Sequence, residues 1–550
     1  MAMSSGQPVL VLKEGATETK GREALRNNLQ AAKLISELVK TSLGPRGMDK
    51  MLVDSLGDVT ITNDGATMLK QLDVQHPAAK MMVEISKATD SEVGDGTTSA
   101  VVLAGALLQK AEELLDKDVH PTLIVDGYVS ASEKALDVLN KISIKVEPTD
   151  KAWLKKVVIT SLSSKIVSQE AAELADMVVS SVLQVAEPAG EKMKVDIDNI
   201  KVEKKPGRSI GETALVKGII VDKEVVHAGM PKKVERAKIA LINAPLEIEK
   251  TEISAEIRIN DPAQMKAFLD EESRMLKEMV DKIQGAGANV IFCQKGIDDI
   301  AQHYLAKVGI LAVRRVKESD MSRLAKSTGG RVVTNFDDLS AGDLGQAQLV
   351  EERKIEDDKW VYVEGCKNPK AVTVFIRGGS QRIVDEAERA VHDALMVAKD
   401  VLEKPLVVAG GGAAEAETAQ KIREWARTLS GREQLAALAF ADALETIPLT
   451  LAINAGMDPI DTQVELKAEH GKGNATAGVH VVKGKVGDMA KQEVFEPTAV
   501  KTQIIKSATE ASIMILRIDD VIASKGGKED KGMPPPGGMP GGMGGMGGDF

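Results

Sequence analysis

The sequence predicts a multidomain α and α/β protein, with mainly helical material at both ends and an α/β block between them. Three observations carry this. The chain has 550 residues, enough for several domains. Apolar residues recur at helical spacing through about the first 145 residues and again after about residue 380. Between about residues 220 and 370, β-type runs alternate with helical ones, the pattern of βαβ units and a parallel sheet. The two helical ends are more alike than either is like the middle. The economical arrangement is one domain built from both ends, with the α/β domain inserted through joints near 146–219 and 371–404.

In chain order, "GREALRNNLQAAKLISELVKTSLG" has a helical stripe at Leu25, Leu29, Ala32, Leu34, Ile35, Leu38 and Val39. The stripe stops at Gly44-Pro45, a strong breaker. A hairpin follows, with strands near Lys50–Asp54 and Asp58–Thr62, and then helices to about Lys141. In the middle, "AKIALINAPLE" and "NVIFCQ" read as strands. The helix between them has Asp261 as N-cap, Pro262 in its first turn and Gly285 at its end. A helix near Ile297–Lys307, a strand "ILAVRRV", a helix near Asp320–Ser327 and a strand "RVV" complete the alternation. A long helix starts at Ser380, "PLVVAGGGAAEAETAQ" reads as strand, glycine turn and helix, and helices run to about Ala523.

Composition excludes several classes. A net charge of −11 with mixed signs argues against a nucleic-acid binder, which needs a basic face. Cys293 and Cys366 are too few for a disulfide framework and far from a zinc pattern. The N-terminus has no signal-peptide core, and no membrane span is expected, so the expectation is a soluble cytoplasmic chain. Aromatics are only 2% of residues, so the core is built from aliphatics, alanine and methionine. The last residues, 526–550, are rich in Gly and Met, with almost only Gly, Met and Pro from Lys531 on, and are expected to be disordered.

The chemistry is concentrated in a few stretches. "SEVGDGTTSAVVLAG" sets Gly94-Asp95-Gly96-Thr97-Thr98-Ser99 directly before Ala100–Leu108, a run that reads as a packed helix. Glycines let a ligand approach the backbone, and a helix N-terminus attracts phosphate. An ordinary capped helix is the other reading of the same stretch. No Walker GxxxxGK[ST] pattern is found. "TSLGPRGMDKM" ends a helix in a Gly-Pro turn, "TNDGAT" sets Asp64 in a tight turn, and "VVAGGGAAE" offers three glycines before a helix. "VHDAL" sets Asp393 on the polar side of a helix whose apolar side runs through Ile383, Val384, Ala387, Val391 and Leu395. Singly, each reads more readily as a common turn or a solvated surface charge. Together they supply what nucleotide hydrolysis requires: amides, hydroxyls, carboxylates for a hard cation and a carboxylate to orient water.

The stretches "TSLGPRGMDKML", "ITNDGAT", "VGDGTTS", "HPAAKMM", "HDAL" and "VVAGGG", with the Gly-Met tail, resemble the signatures of the group II chaperonins, nearest to the archaeal thermosome branch. The resemblance covers residues 10 to 525. It implies the chaperonin fold: an equatorial domain (1–148 and 405–525), an intermediate domain (149–219 and 371–404) and an α/β apical domain (220–370). It implies that Gly96, Thr97, Thr98 and Ser99 cradle the phosphates of ATP, with Ser99 in place of a more usual threonine. Leu43, Gly44 and Pro45 match a second phosphate loop, and Asp95 the ligand of Mg2+. Asp64 and Asp393 match the pair that orients and activates water, and Lys165 the lysine that senses the γ-phosphate. Gly411, Gly412 and Glu496 match the ribose side. "GKGNATAGVHV" matches the base side less well, because of its small Ala475 and Thr476.

The segment near 245–280 resembles the helical protrusion that closes the chamber. Ile253, Ile257, Ile259, Met265, Phe268 and Leu269 are expected to hold non-native chains, whereas Leu276 and Met279 are expected to pack inside. The resemblance further implies identical or homologous subunits in two stacked rings, unfolded proteins as clients, and neither nucleic acid nor membrane as partner. A metabolic ATP-dependent enzyme would need an acceptor pocket, and none stands out. A non-hydrolysing scaffold would not need both Asp64 and Asp393.

Overall fold

The computed structural model describes residues 17–190, 192–248, 262–366 and 370–523. The tail 526–550, the first residues of the chain, and Ile253, Ile257, Ile259 and Asp261 lie outside the described residues. The chain divides into two compact units, Met1–Asn27 with Ile518–Phe550, and Asn28–Arg517. In the first, strand β1 (Thr17–Lys20) pairs antiparallel with the last strand, Asp520–Ala523.

Helix α1 (Gly21–Lys40) buries Leu29, Ala32 and Val39, but Leu34 and Leu38 are 65% and 38% exposed. At 3.6 residues per turn these two fall on the side opposite the buried stripe. Strands β2 (Lys50–Val53) and β3 (Val59–Thr62) form the expected hairpin. Helices α2 (Gly65–Gln71), α3 (Pro77–Val93), α4 (Thr97–Leu115) and α5 (Pro121–Ile142) follow. Both α3 and α5 start with a histidine N-cap and a proline in the first turn. Every residue from Ala100 to Leu108 is buried, so α4 is packed on all sides.

A short strand β4 (Ile144–Lys145) leads to helices α6 (Lys151–Leu162) and α7 (Ala171–Val185). Then come the small hairpin β5 (Glu187–Ala189) and β6 (Lys192–Lys194), and strands β7 (Ile200–Pro206), β8 (Ala214–Val216), β9 (Gly218–Val221) and β10 (Lys233–Ile242). The α/β block continues with α8 (Pro262–Gly285), β11 (Val290–Cys293), α9 (Asp299–Lys307), β12 (Leu311–Val313), α10 (Glu318–Thr328) and β13 (Val332–Val333). Strands β14 (Gly345–Ile355) and β15 (Asp358–Glu364) close it.

The resulting seven-stranded sheet has the order β12-β11-β10-β14-β15-β9, with β13 also paired to β10. The expectation of a parallel sheet holds for only part of it. β11 and β13 run parallel to β10, and β12 parallel to β11, but β14, β15 and β9 add antiparallel. Only two residues join β14 to β15, too few for a parallel crossover and enough for a hairpin. Helix α8 divides midway. Met265, Phe268 and Leu269 are 45–55% exposed, whereas Leu276 is buried and Met279 packs partly against the sheet core.

The chain then returns through β16 (Val372–Gly378), which lies between β7 and β8 in a three-stranded sheet, and α11 (Gln381–Glu403). After β17 (Leu406–Ala409) come α12 (Ala413–Ala426), α13 (Gly431–Leu444), α14 (Thr446–Asn454) and α15 (Pro459–Gly471). A hairpin of β18 (Ala477–His480) and β19 (Lys485–Asp488), then β20 (Phe495–Pro497), α16 (Thr498–Leu516) and β21 (Asp520–Ala523) end the described chain. Helix α16 packs on α3, α4 and α5, and α13 packs on α4 and α5, so early and late parts of the sequence share one core. Tyr128 of α5 meets Phe440 of α13 edge to face and donates to the Leu107 carbonyl of α4 at 2.8 Å. The stretch Gly431–Asn454 is long and apolar enough to cross a membrane, yet 72% of its apolar window is buried in this core.

Candidate functional site

Two helices that carry glycine signatures begin in the same unusual way. Gly96, before α4, has φ +80°, and Gly412, before α12, has φ +76°. A side chain at either position would be strained and would collide, at Gly96 with Ile504 and at Gly412 with Pro448. Neither helix has a side-chain cap, so the ordinary capped-helix reading of Thr97–Ser99 does not apply. Two helix N-termini thus keep first-turn amides without a capping side chain, the arrangement that attracts an anion.

Both open onto a cavity of about 590 Å³. On one side lie Leu43, Gly44 and Pro45, with Arg46 beyond them. On the next lie Asp95, Gly96 and Ser99. Gly411, Gly412 and Glu496 line the cavity too, and Val479, Val481 and Met489 are apolar members of the lining. Ala475 and Thr476 do not line it. Thr476 instead donates to Asp488 at 2.7 Å, which fastens the β18–β19 hairpin, and that hairpin supplies the wall.

Asp95 accepts from the Gly96 amide at 2.7 Å and from the Ser161 hydroxyl of α6 at 2.6 Å. Ser161 is a contact that sequence reading missed, because nothing local marks a helix serine as facing a loop 66 residues away. Among the described residues no group of three or more His, Cys, Asp or Glu is arranged to hold a metal. Asp95 is a single hard oxygen donor at the glycine turn. That fits Mg2+, which takes one or two carboxylates and completes its shell with phosphate and water.

A second, buried group lies beside the cavity. Asp64 is the N-cap of α2 and accepts from Thr67 N at 2.8 Å and from the Thr97 hydroxyl at 3.1 Å. Thr97 therefore turns its side chain toward Asp64, and Thr98 packs on Gly65. Lys165, just past α6, pairs with Asp393 of α11 at 2.8 Å, each side chain only 9% exposed. The expectation of Asp393 on a polar helix face meets a different fact: it is buried. Burial pushes the Asp393 carboxyl well up, against the pull of the Lys165 ammonium and with help from the Asp64 and Asp95 charges. Burial acts on Asp64 in the same sense, but the Lys165 charge and the Thr67 and Thr97 bonds outweigh it and hold Asp64 below its ordinary value. Lys165 is disfavoured as a cation by burial, but Asp393, Asp95 and Asp64 keep it charged. The structure thus brings together Asp64, Thr97, Lys165 and Asp393, from four separated parts of the sequence, next to a glycine-lined cavity.

The sequence also matches the model of the TCP-1/cpn60 chaperonin family over residues 35–526. The chain belongs to that family. It is 58% identical over 532 residues to thermosome subunit alpha of Archaeoglobus fulgidus, covering 97% of this chain and 98% of that protein. It is 58% identical over 540 residues to thermosome subunit beta of the same organism, covering 98% and 99%. To the thermosome subunit of Pyrococcus abyssi it is 57% identical over 531 residues, covering 96% of each. The resemblance to the chaperonins is borne out, and the mixed helical and α/β architecture described above is consistent with that family.

Proposed function

We propose that this chain is a subunit of an ATP-hydrolysing, double-ring protein-folding chamber in the cytoplasm. The observation that carries the hydrolytic step is the buried Lys165–Asp393 pair standing beside Asp64 and the α4 N-terminus. The amides of Gly96 to Ser99 and the Leu43–Pro45 turn receive the phosphates, and Gly411, Gly412 and Glu496 receive the ribose. Asp95 would hold Mg2+, which when bound neutralises phosphate charge. Asp64, kept ionised, accepts a hydrogen bond from the attacking water. Asp393, whose proton affinity is raised, takes the proton. Lys165 faces the γ-phosphate.

Lys165 and Asp393 sit on the parts read as the intermediate domain (149–219 and 371–404), and the phosphate loops on the part read as equatorial (1–148 and 405–525). Closure of one on the other would couple hydrolysis to movement of the apical block (220–370), whose α8 presents Met265, Phe268 and Leu269 toward unfolded clients. The names of the relatives, thermosome subunits alpha and beta, support an assembly of identical or homologous subunits.

The test is particle size and ATPase activity of the purified chain with and without Mg2+, with electron micrographs of the particles. Stacked rings that release phosphate only with Mg2+ are expected. A monomer that transfers phosphate to a small metabolite refutes the reading.

A further inference from the structure

At the ribose wall of the cavity stands a charge triad of which the proposed mechanism uses only Glu496. Lys501, in the first turn of α16, is 5% exposed and lies 2.6 Å from Glu496 Oε2 and 2.8 Å from Glu415 Oε1. Glu415, in the first turn of α12, is also 5% exposed, and among the described residues no other group reaches either of its oxygens. Glu496 is different: its side chain is 26% exposed and lines the cavity. Its Oε1 lies where a side chain on Gly410 would collide, so the carboxylate sits against the glycine turn before α12.

Two carboxylates share one ammonium, and the triad is left with one negative charge. Buried ion pairs of this kind add little stability, because desolvation offsets their attraction. Stability therefore does not explain the arrangement, and its geometry does. Glu415 does not line the cavity, whereas Lys501 and Glu496 both do, and of these two Glu496 is the more exposed to a ligand. Helix α16 also packs on α4, which carries the phosphate turn, so Lys501 ties the ribose wall to the phosphate wall. Without the ammonium, Glu415 would repel Glu496, and a partly exposed carboxylate has room to swing away.

We propose that Lys501 is a positioning residue for nucleotide binding. Backed by Glu415, it holds the Glu496 carboxylate against the Gly410–Gly412 turn, where Glu496 accepts hydrogen bonds from the ribose hydroxyls. This rests on the nucleotide reading of the cavity.

The experiment measures binding of ATP, 2′-deoxy-ATP and 3′-deoxy-ATP to the assembled particle, with Mg2+ present. The wild-type protein is expected to prefer ATP over at least one deoxy analogue by on the order of tenfold, the value of a hydrogen bond to a charged group. Lys501→Met should bring that ratio close to one, and Lys501→Arg should restore it. Glu415→Gln should keep the ratio, because Lys501 remains on Glu496. If Lys501→Met does not assemble, the double variant Glu415→Gln/Lys501→Met removes the repelling carboxylate together with the ammonium that holds Glu496; a partial loss of preference is expected, and full wild-type preference overturns the proposal. An equal loss of affinity for all three nucleotides in the lysine variants overturns the proposal, since a merely structural lysine would act that way. A wild-type protein that does not distinguish ATP from either analogue overturns the ribose reading of Glu496 itself. That failure is distinguishable because it precedes any substitution.

Discussion

The seven-stranded sheet and the helical region around the cavity handle buried charge in opposite ways. In the sheet, Ile239, Leu241, Val290, Ile291, Phe292 and Val313 are fully buried and form one apolar core. Few charges are buried with it among the described residues: Asp320 of α10 meets Lys201 of β7 at 2.8 Å, and Glu352 of β14 meets Lys232 at 3.2 Å. In the helical region, Asp64, Asp393, Asp400, Glu386, Glu415, Glu417 and Lys501 all lie below 10% exposure, and of these Lys501 lines the cavity. Each buried ion costs several kcal/mol of desolvation before any pairing. The sheet buries apolar side chains, and the helical region buries charges whose desolvation opposes stability.

The largest expected effect tests the helical side of this contrast. Asp393→Ala should lower the rate of ATP hydrolysis by about 10² to 10⁴-fold, the usual loss on removing a general base. Nucleotide affinity should change little, because Asp393 does not line the cavity. Single-turnover hydrolysis and equilibrium binding separate the two, and near-normal turnover would remove Asp393 from the mechanism.

Phe292→Ala tests the other side. It should destabilise the fold by about 3–5 kcal/mol through the cavity it leaves, with ATP affinity unchanged. Thermal unfolding and nucleotide titration of the same sample check this. A matching fall in ATP affinity would show that the two regions are not separable.

Asp400 sharpens the comparison through pH. It is buried on α11, one of its oxygens has no partner among the described residues, and burial pushes its carboxyl up to about 7, partly offset by Lys399 and Lys404. A carboxyl raised in the folded state binds more protons folded than unfolded, so stability falls as pH rises from about 4 to about 7 and then levels off. The contribution is of order 4 kcal/mol at most. Asp400→Asn should flatten this part of the pH dependence of the thermal midpoint and raise the midpoint at pH 8. An unchanged slope would show that Asp400 is ionised at no cost.

The smallest expected effect on stability lies on α8. Phe268→Ala should change stability by no more than about 0.5 kcal/mol, because the side chain is half exposed, while weakening retention of an unfolded client. Leu276→Ala, two turns later, should cost about 2–5 kcal/mol. Equal costs at both positions would mean that the first half of α8 is packed like the second.

Much of this was legible in the sequence because periodicity and punctuation are local. The β2–β3 hairpin, the end of α8 at Gly285, the helices α9 and α10 and the strand β11 all lie close to where spacing and capping residues set them. The glycine turns were legible for the same reason: a positive φ at Gly96 or Gly412 is a property of a few residues. The direction of strands β14, β15 and β9 was not, since alternation of elements does not say how many residues the last connections contain.

The sequence by itself determined the kind of molecule: helical ends, an α/β middle, and glycine, hydroxyl and carboxylate groups in the order of a chaperonin chain. Tertiary structure alone decided which of those groups meet. A helix aspartate such as Asp393 has the same local pattern whether it faces water or a lysine 228 residues away, and only packing of α11 beside the end of α6 buries it. Ser161 on Asp95, and Lys501 between Glu415 and Glu496, are contacts of the same sort. The physical reason is that burial and charge pairing are sums over neighbours in space, and such neighbours leave no periodic trace along the chain.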